Sequence, residues 1–260
     1  MLNLTNLIVT AHMKDGEDIV LVDHLSLSVE RGKKLAIIGQ SGCGKTMTGM
    51  SILGLLPDNC TASGKIIWSD MDLLAISKRQ RRLLLGRELV LIPQSGADFL
   101  NPSRTIGGQM RESIRHIGIK GVQPLHDILH RVGFECPESI LSAYSFQLSG
   151  GMAQRVVMAI SALGRPGLVI ADEPTRGIDR ENTGHFVTLM NELFSNAAIL
   201  IITHDFSIAS VCDHILVMNN GQLVEYGETN QILNSPKEAY TRQLIYDLPR
   251  TRPHLERGYL

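Results

Sequence analysis

Residues 39–46 read Gly39-Gln40-Ser41-Gly42-Cys43-Gly44-Lys45-Thr46. This stretch fits the pattern G-x-x-x-x-G-K-[ST] of a phosphate-binding loop, in which glycines let consecutive backbone N–H groups converge on an anion. A short apolar run at residues 34–38 leads into the loop, and a helical segment at 46–56, stopped by Pro57, follows it. This strand–loop–helix order predicts a nucleotide-binding core. Lys45 would reach the β- and γ-phosphates, and the Thr46 hydroxyl would hold Mg²⁺.

Two acidic residues, Asp172 and Glu173, end another apolar run at residues 168–171. The carboxyl ends of parallel strands meet at one edge of a sheet, so both side chains are expected beside the phosphate loop. Asp172 is predicted to bind the Mg²⁺ shell, usually through water, and Glu173 to polarise the attacking water. His204 ends the next apolar run, at 199–203. It is usually just a polar strand end, but in this context we place it at the γ-phosphate.

A second glycine-rich loop, Leu148-Ser149-Gly150-Gly151-Met152, precedes the acidic pair. A phosphate loop alone would fit many nucleotide enzymes. A Ser-headed glycine loop followed by two carboxylates narrows the choice to an ATPase whose site is closed by a second copy of the fold. Only one phosphate loop is present, so the sequence predicts half of a two-site assembly.

Composition limits the partners that the chain can have. The 260 residues carry a net charge of −1 and a pI near 6.8, which gives no reason to expect nucleic acid as an electrostatic partner. The N-terminus shows no signal peptide, and no apolar run approaches the ~18 residues of a membrane span. The expectation is a cytosolic protein that docks onto a membrane partner. The scattered cysteines predict reduced thiols and no metal centre: Cys43, Cys60, Cys136 and Cys212.

Strand and helix patterns alternate along the chain, which predicts an α/β core interrupted by a mostly helical block at about residues 101–165. Predicted strands lie at 4–9, 20–29, 34–38, 66–68, 89–92, 168–171, 198–202 and 215–218. Predicted helices between the later strands lie at 181–194 and 206–212.

Through these motifs, the sequence resembles the nucleotide-binding subunit of an ABC transporter over nearly all its length. The resemblance implies an α/β fold: a P-loop NTPase (RecA-like) core with an antiparallel β subdomain and an inserted helical subdomain. It implies ATP and Mg²⁺ as cofactors. It divides the chain into a nucleotide-binding part at 1–94, a helical subdomain at 95–165, the rest of the core at 166–230 and a short tail at 231–260.

The resemblance also implies a role for each motif. Residues 39–46 are the Walker A loop and residues 168–173 the Walker B strand. Gln94 is the Q-loop glutamine, which couples Mg²⁺ and the γ-phosphate to the membrane partner. The signature that binds the γ-phosphate of ATP held by the opposite subunit is formed by Ser149, Gly150 and Gly151. Asp179 is the D-loop aspartate and His204 the switch histidine.

Two positions depart from the family's usual pattern. The aromatic residue that stacks on adenine is replaced in register by His12, whose imidazole can still stack on a base. The D-loop reads Arg176-Gly177-Ile178-Asp179 in place of the common Ser-Ala-Leu-Asp, although its aspartate is kept.

The resemblance extends to a subfamily. Residues 92–94 and 99–102 resemble the Q-loop stretch of peptide and nickel importers, and residues 235–244 resemble that family's C-terminal segment. Because no cysteine follows Cys212, the tail fits the nickel or metal-chelate branch better than the peptide branch, an argument by analogy alone. The rivals are an oligopeptide importer and a soluble ABC ATPase of translation or DNA repair.

The resemblance to an importer subunit also implies several protein partners. They are a second homologous ATPase subunit, in a heterodimer or a homodimer, and two transmembrane permease subunits on whose cytosolic face the chain lies. An extracytoplasmic substrate-binding protein acts indirectly, and nucleic acid has no part.

Two further features have simpler interpretations. His126 and His130 are four apart on a predicted helix, but lack the glutamate of H-E-x-x-H and are interpreted as surface or subunit contacts. The basic run at residues 78–82 is interpreted as the solvated face of a helix.

Overall fold

The computed structural model of the chain describes residues 1–14, 16–176 and 180–247, and for residues 180–182 it describes the backbone alone. The part of the chain so described has ten strands in two sheets. The strands are β1 (Leu2–His12), β2 (Asp18–Val29), β3 (Lys34–Ile38), β4 (Cys60–Trp68), β5 (Met71–Asp72), β6 (Leu89–Ile92), β7 (Leu168–Asp172), β8 (Ala198–Ile202), β9 (His214–Asn219) and β10 (Gln222–Glu228).

Six strands form the central sheet, in the order β10-β9-β3-β8-β7-β6. The strands from β9 to β6 pair in parallel, and β10 adds to the edge as an antiparallel partner of β9. A strand buried on both faces needs apolar residues at every position, which explains the continuous apolar runs of β3 and β8. Because successive side chains point to opposite faces, the sheet divides its residues between two cores.

The two cores can be followed along single strands. In β8, Leu200 and Ile202 belong to one cluster, whereas Ile199 and Ile201 belong to the other. The first cluster also holds buried residues of β1, β2, β4 and the helix after the phosphate loop, and the second holds those of the helical block. The fold is therefore layered, with the parallel sheet between the antiparallel strands and the helices.

The second sheet has four antiparallel strands in the order β2-β1-β4-β5. It matches the antiparallel part that was expected. This sheet contacts the phosphate loop through β2. Gly44 of the loop lies so close to Leu21 of β2 that a Cβ built on the glycine would overlap the Leu21 carbonyl oxygen.

Eleven α-helices occur among the described residues. They are α1 (Lys45–Leu53), α2 (Lys78–Leu84), α3 (Gly96–Phe99), α4 (Ile106–Ile117), α5 (Gln123–Arg131), α6 (Pro137–Ser142), α7 (Gly150–Ala162), α8 (Arg180–Leu193), α9 (Phe206–Ala209), α10 (Thr229–Asn234) and α11 (Ala239–Tyr246). Helices α3 to α7 form a continuous helical block between β6 and β7, where the sequence predicted one.

The predicted strands are all present, but some boundaries were wrong. Helix α1 ends at Leu53 and not at residue 56, because Gly54 takes a left-handed conformation (φ 67°). The Gly54 N–H donates to the carbonyl oxygens of Met50 and Ser51. Strand β4 begins at Cys60, six residues before the predicted start. Strand β10 and the helices α10 and α11 were not predicted.

The basic run lies on helix α2, as expected, and most of its side chains are exposed. Arg81 is the exception: its guanidinium is partly buried and donates to the carbonyl oxygens of Ile52 and Leu73. This arginine joins α2 to the end of α1, so the prediction of a wholly solvated face was wrong at this residue.

Candidate functional site

Four neighbouring strands of the central sheet deliver the candidate site residues to one edge. Strands β3, β8, β7 and β6 are adjacent and parallel, so their carboxyl ends lie side by side. In this order they lead into the phosphate loop, His204, the pair Asp172–Glu173 and Gln94. The sheet therefore brings together residues that are more than 160 positions apart in sequence.

The phosphate loop needs glycine where other backbone comes close. A Cβ on Gly39 would overlap the Met218 carbonyl oxygen, and one on Gly44 would overlap that of Leu21. Gly42 has φ 83°, a left-handed conformation that favours glycine, and a Cβ there would meet nothing within 4 Å. The two outer glycines anchor the loop on β2 and β9, and its middle is open, as a cradle for an anion requires.

Lys45 places a positive charge inside this loop. Its Nζ atom donates to the carbonyl oxygens of Gly39 (2.8 Å) and Gln40 (2.9 Å), and it lies 3.7 Å from the Cys43 sulfur. The residue is buried, with only 7% of its surface exposed. A buried ammonium held by neutral carbonyls has no anionic partner among these contacts, which suits it to a phosphate ligand.

Thr46 and Asp172 meet across the site. The Thr46 hydroxyl donates to Asp172 Oδ1 over 3.2 Å. Burial raises the pKa of the Asp172 carboxyl, the nearby Thr46 hydroxyl lowers it, and the neighbouring Glu173 carboxylate raises it further. A hydroxyl oxygen and a carboxylate oxygen thus face each other, and these are donors of the kind that a hard divalent cation prefers.

Glu173 has an unusual backbone conformation, and three contacts fix its N–H and its carboxylate. Its φ of 46° is left-handed, which costs about 1–3 kcal/mol for a residue with a side chain. Its N–H donates to the Ile202 carbonyl oxygen over 2.8 Å. Its carboxylate accepts from the Thr203 hydroxyl (3.3 Å) and lies 2.8 Å from His204 Nδ1.

The contacts of Glu173 bring the predicted base and the predicted switch histidine together. The carboxylate is mostly buried, with 16% of the side chain exposed, whereas the imidazole of His204 is 65% exposed. The residues that follow β8 therefore orient the Glu173 carboxylate, which follows β7, and the imidazole of His204 is open to solvent. Thr203 was missed by sequence reasoning, because a threonine at a strand end carries no distinctive pattern.

Gln94 and Asp172 lie on neighbouring strand ends, β6 and β7, but no direct contact joins them. The Gln94 carboxamide is assigned the orientation in which its oxygen faces the donors of Arg176; that oxygen then accepts from Arg176, at 2.7 Å from Nη1 and 3.3 Å from Nε. Buried Gln154, on α7, donates to the carbonyl oxygens of Pro93 (3.3 Å) and Pro174 (3.1 Å). Neither contact was foreseen, since each joins segments far apart in sequence.

The signature loop begins helix α7. The Ser149 hydroxyl caps this helix by accepting from the Met152 N–H over 3.3 Å. Ser149, Gly150 and Gly151 are exposed, and a Cβ on either glycine would meet nothing within 4 Å. The positive end of a 13-residue helix therefore faces outward with room around it.

His12 ends strand β1 with both ring nitrogens paired. Nδ1 lies 2.7 Å from Asp18 Oδ1 and Nε2 lies 2.9 Å from the Thr61 hydroxyl. These bonds fix the plane of a ring that is 46% exposed. The hairpin of β1 and β2 also carries Leu21, the residue that abuts Gly44.

One site contact comes from the C-terminal helix α11. The Tyr240 hydroxyl accepts from the Gln40 N–H over 3.4 Å, so this helix touches the phosphate loop.

Asp179 lies outside the described residues. Within the described ranges, no three His, Cys, Asp or Glu side chains cluster as a metal site. His126 lies 3.2 Å from Glu138 Oε1.

Comparison with known proteins places the chain in a family. Residues 22–176 match the model of the family described as ABC transporter. The dipeptide transport ATP-binding protein DppD of Escherichia coli (strain K12) is 39% identical over 91% of this chain and 75% of its own length. OppD, the oligopeptide transport ATP-binding protein of Salmonella typhimurium, is 33% identical over 96% and 76%. CntD, the metal-staphylopine import system ATP-binding protein of Staphylococcus aureus (strain Mu50), is 30% identical over 91% and 90%.

The fold is also that of solved structures. The dimeric structure of MJ0796, a bacterial ABC transporter cassette, superposes with a TM-score of 0.77 at 22% identity, over 88% of this chain and 99% of that one. None of the helices in the described part of the chain has the length and apolarity of a bilayer-spanning segment. The P-loop fold, the phosphate cradle and the carboxylate pair agree with the family match, and the chain belongs to the ABC transporter family as an ATP-binding subunit that hydrolyses ATP.

Proposed function

We propose that this chain powers an importer, hydrolysing ATP on the cytosolic face of the membrane to drive uptake of nickel or another metal chelate, the alternative cargo being a peptide. One observation carries the ATP-hydrolysing part of the proposal: Lys45, Thr46, Asp172, Glu173 and His204 cluster after the ends of β3, β7 and β8, with contacts between both acidic residues and their partners. Each residue of this cluster has a distinct role at a bound triphosphate.

ATP would be held by residues 39–46. The open middle of the loop supplies backbone N–H groups, helix α1 begins at Lys45 and adds its dipole, and the Lys45 ammonium supplies a buried charge. The cradle is completed by Gly39, Gln40, Ser41, Gly42, Cys43 and Gly44. Its first and last glycines lie against neighbouring backbone, which fixes the loop in place.

Mg²⁺ would be held by Thr46, Asp172 and Gln94. The donor set fits a hard cation, because it consists of a hydroxyl, a carboxylate and a carboxamide oxygen, with Thr46 and Asp172 already in contact. When bound, the cation neutralises charge that develops on the β- and γ-phosphate oxygens.

Glu173 is proposed as the general base. Its carboxylate is oriented by Thr203 and His204 and keeps acceptor capacity for the attacking water. His204 is proposed to contact the γ-phosphate, since its imidazole is exposed while its Nδ1 is fixed by Glu173. A ring held through one nitrogen offers the other to a ligand.

His12 is proposed to stack on the adenine base. The hairpin that carries it packs on the phosphate loop through Leu21, and its ring plane is fixed by Asp18 and Thr61. The ring is half-exposed, so one face is open to a base. Stacking of this kind contributes about 1–3 kcal/mol.

A second homologous ATPase subunit, in a heterodimer or homodimer, is proposed to close the site. Ser149, Gly150 and Gly151 lie at an exposed helix start, and their donors would serve the γ-phosphate of ATP on the partner. Asp179 is proposed to take part in the same interface.

The division of the chain follows from these roles. Residues 1–94 and 166–230 form the nucleotide-binding core, and residues 231–260 form the tail. Residues 95–165 are the helical subdomain that would contact two transmembrane permease subunits. An extracytoplasmic substrate-binding protein would act on those permeases and not on this chain.

Uptake measurements separate the two cargo classes. Cells that lack this chain should lose accumulation of labelled nickel or metal chelate and keep uptake of labelled dipeptide, because residues 213–260 hold no cysteine, which by analogy favours the nickel or metal-chelate branch. The relatives point both ways, since two are named for peptides and one for a metal complex. Loss of dipeptide uptake alone would assign the chain to the peptide branch.

Asp172→Asn should make the isolated chain more stable at pH 8. Burial raises the pKa of this carboxyl, so its ionised form is less stable in the native chain than in the unfolded one. Asparagine keeps an oxygen for the Thr46 hydroxyl and removes the charge.

The stability gained by Asp172→Asn should shrink as pH falls through the raised native pKa and vanish below the unfolded value of about 3.9. Urea denaturation across this pH range measures it, with the exposed Asp58→Asn as the matched control. A variant that is less stable than the parent at pH 8 would contradict an electrostatic cost at Asp172.

Glu173→Gln should keep ATP binding and slow hydrolysis by about 10²–10⁴-fold, the usual contribution of a positioned general base. The amide has nearly the same shape but cannot accept the proton of the attacking water. Turnover is measured by phosphate release in the assembled complex, with the exposed Glu192→Gln as the control. Turnover near that of the parent would remove Glu173 from this role.

Ser149→Arg and Lys45→Ala should impair different sites of the assembled complex. The serine substitution should slow hydrolysis at the site built on the partner's Walker lysine, whereas the lysine substitution should stop hydrolysis at this chain's own loop. Phosphate release in complexes that carry one active site at a time separates the two effects. The isolated chain should be largely monomeric and a poor ATPase, and a strict monomer with full activity would refute the two-subunit mechanism.

A further inference from the structure

Arg176 touches the side chain that the proposed function assigns to Mg²⁺. Its guanidinium directs Nη1 (2.7 Å) and Nε (3.3 Å) at the carboxamide oxygen of Gln94. A carboxamide oxygen has two lone pairs, and two donors from one planar fork can occupy both. The oxygen is therefore engaged, although it lies at an exposed position of the site edge.

The backbone on both sides of this contact is fixed. The Arg176 N–H donates to the Glu173 carbonyl oxygen over 3.1 Å, which closes a tight turn directly after the proposed base. Gln154 joins the two segments from below, because its amide donates to the carbonyl oxygens of Pro93 and Pro174. Pro93 precedes Gln94 and Pro174 precedes Arg176 by two residues, so the two side chains are held opposite each other.

A guanidinium and a divalent cation compete for this oxygen. Both are positive and repel each other, and the two donors of the fork engage both lone pairs, so a cation must displace at least one donor to bind. Arg176 therefore competes with a cation for the Gln94 oxygen.

We propose that Arg176 is a positioning residue that latches the Gln94 oxygen away from Mg²⁺ until the cation arrives with the nucleotide. The proposal rests on the metal role assigned to Gln94 in the proposed function. The latch reduces the increase in ATP affinity that Mg²⁺ gives, because displacing the arginine from Gln94 costs part of the binding free energy of the cation. It also joins the ends of β6 and β7, so release of Gln94 changes both segments together.

Arg176→Ala should increase the Mg²⁺ enhancement of ATP affinity by about three- to tenfold, the effect of losing one typical hydrogen bond. The enhancement is the ratio of the Kd for a fluorescent ATP analogue in EDTA to that in Mg²⁺, measured by equilibrium titration of the full chain. Arg176→Lys should fall between the parent and Arg176→Ala, because it keeps the charge and loses the fork. Arg79→Ala, exposed on α2, controls for the change in net charge.

A double-mutant cycle makes the test specific. In a Gln94→Ala background, Arg176→Ala should leave the enhancement unchanged, since the latch has nothing to hold. An unchanged or reduced enhancement in the parent background, or an equal increase in both backgrounds, would overturn the latch.

The cycle also separates the latch from the role on which it rests. If Gln94→Ala alone leaves the enhancement intact, the metal role of Gln94 is wrong and the latch falls with it. If Gln94→Ala lowers the enhancement and Arg176→Ala does nothing, the latch alone is wrong. Denaturation midpoints that match the parent within error exclude unfolding as the cause of either result.

Discussion

The parallel pairing of β3, β8, β7 and β6 is the constraint on which the site depends. Each pair runs in register over at least four residues, so the point at which one strand ends determines where the next one ends. The side chains after those strands need no helix or loop of their own to find each other. Every residue of a strand interior is apolar because both faces are covered, which leaves the strand ends as the first places where polar groups can stand. The chemistry is therefore confined to one edge of the sheet.

The residues at that edge of the sheet have unfavourable electrostatic and conformational free energies. Asp172 is desolvated beside Glu173, the Lys45 ammonium is buried among carbonyl oxygens, and Glu173 holds a left-handed backbone. Each of these arrangements costs free energy in the chain itself. The two charged ones suit a ligand that brings phosphate anions and a divalent cation together, because the anions attract the ammonium and the cation attracts the carboxylates.

Much of the site could be predicted from the sequence, for a physical reason. Gly39, Gly44 and Lys45 belong to a local pattern whose members must be near each other in sequence to shape one loop, and Asp172–Glu173 follows an apolar strand. Contacts between distant segments had no such pattern. Arg176 on Gln94, Gln154 between two prolines and Tyr240 on the phosphate loop depend on the packing of whole elements. Strand β10 was missed for a related reason: it lies at the sheet edge, where its residues alternate and lack a continuous apolar run.

A high-resolution structure of the assembled complex with Mg²⁺ and a non-hydrolysable ATP analogue tests the central claim most directly. The quantity to measure is the distance from the bound cation to the side-chain oxygens of Thr46 and Asp172. The account predicts direct coordination by the Thr46 hydroxyl at about 2.0–2.1 Å and Asp172 within one water of the cation. A cation held by phosphates and water alone, with Asp172 remote from it, would contradict the claim that the strand ends assemble one metal–nucleotide site.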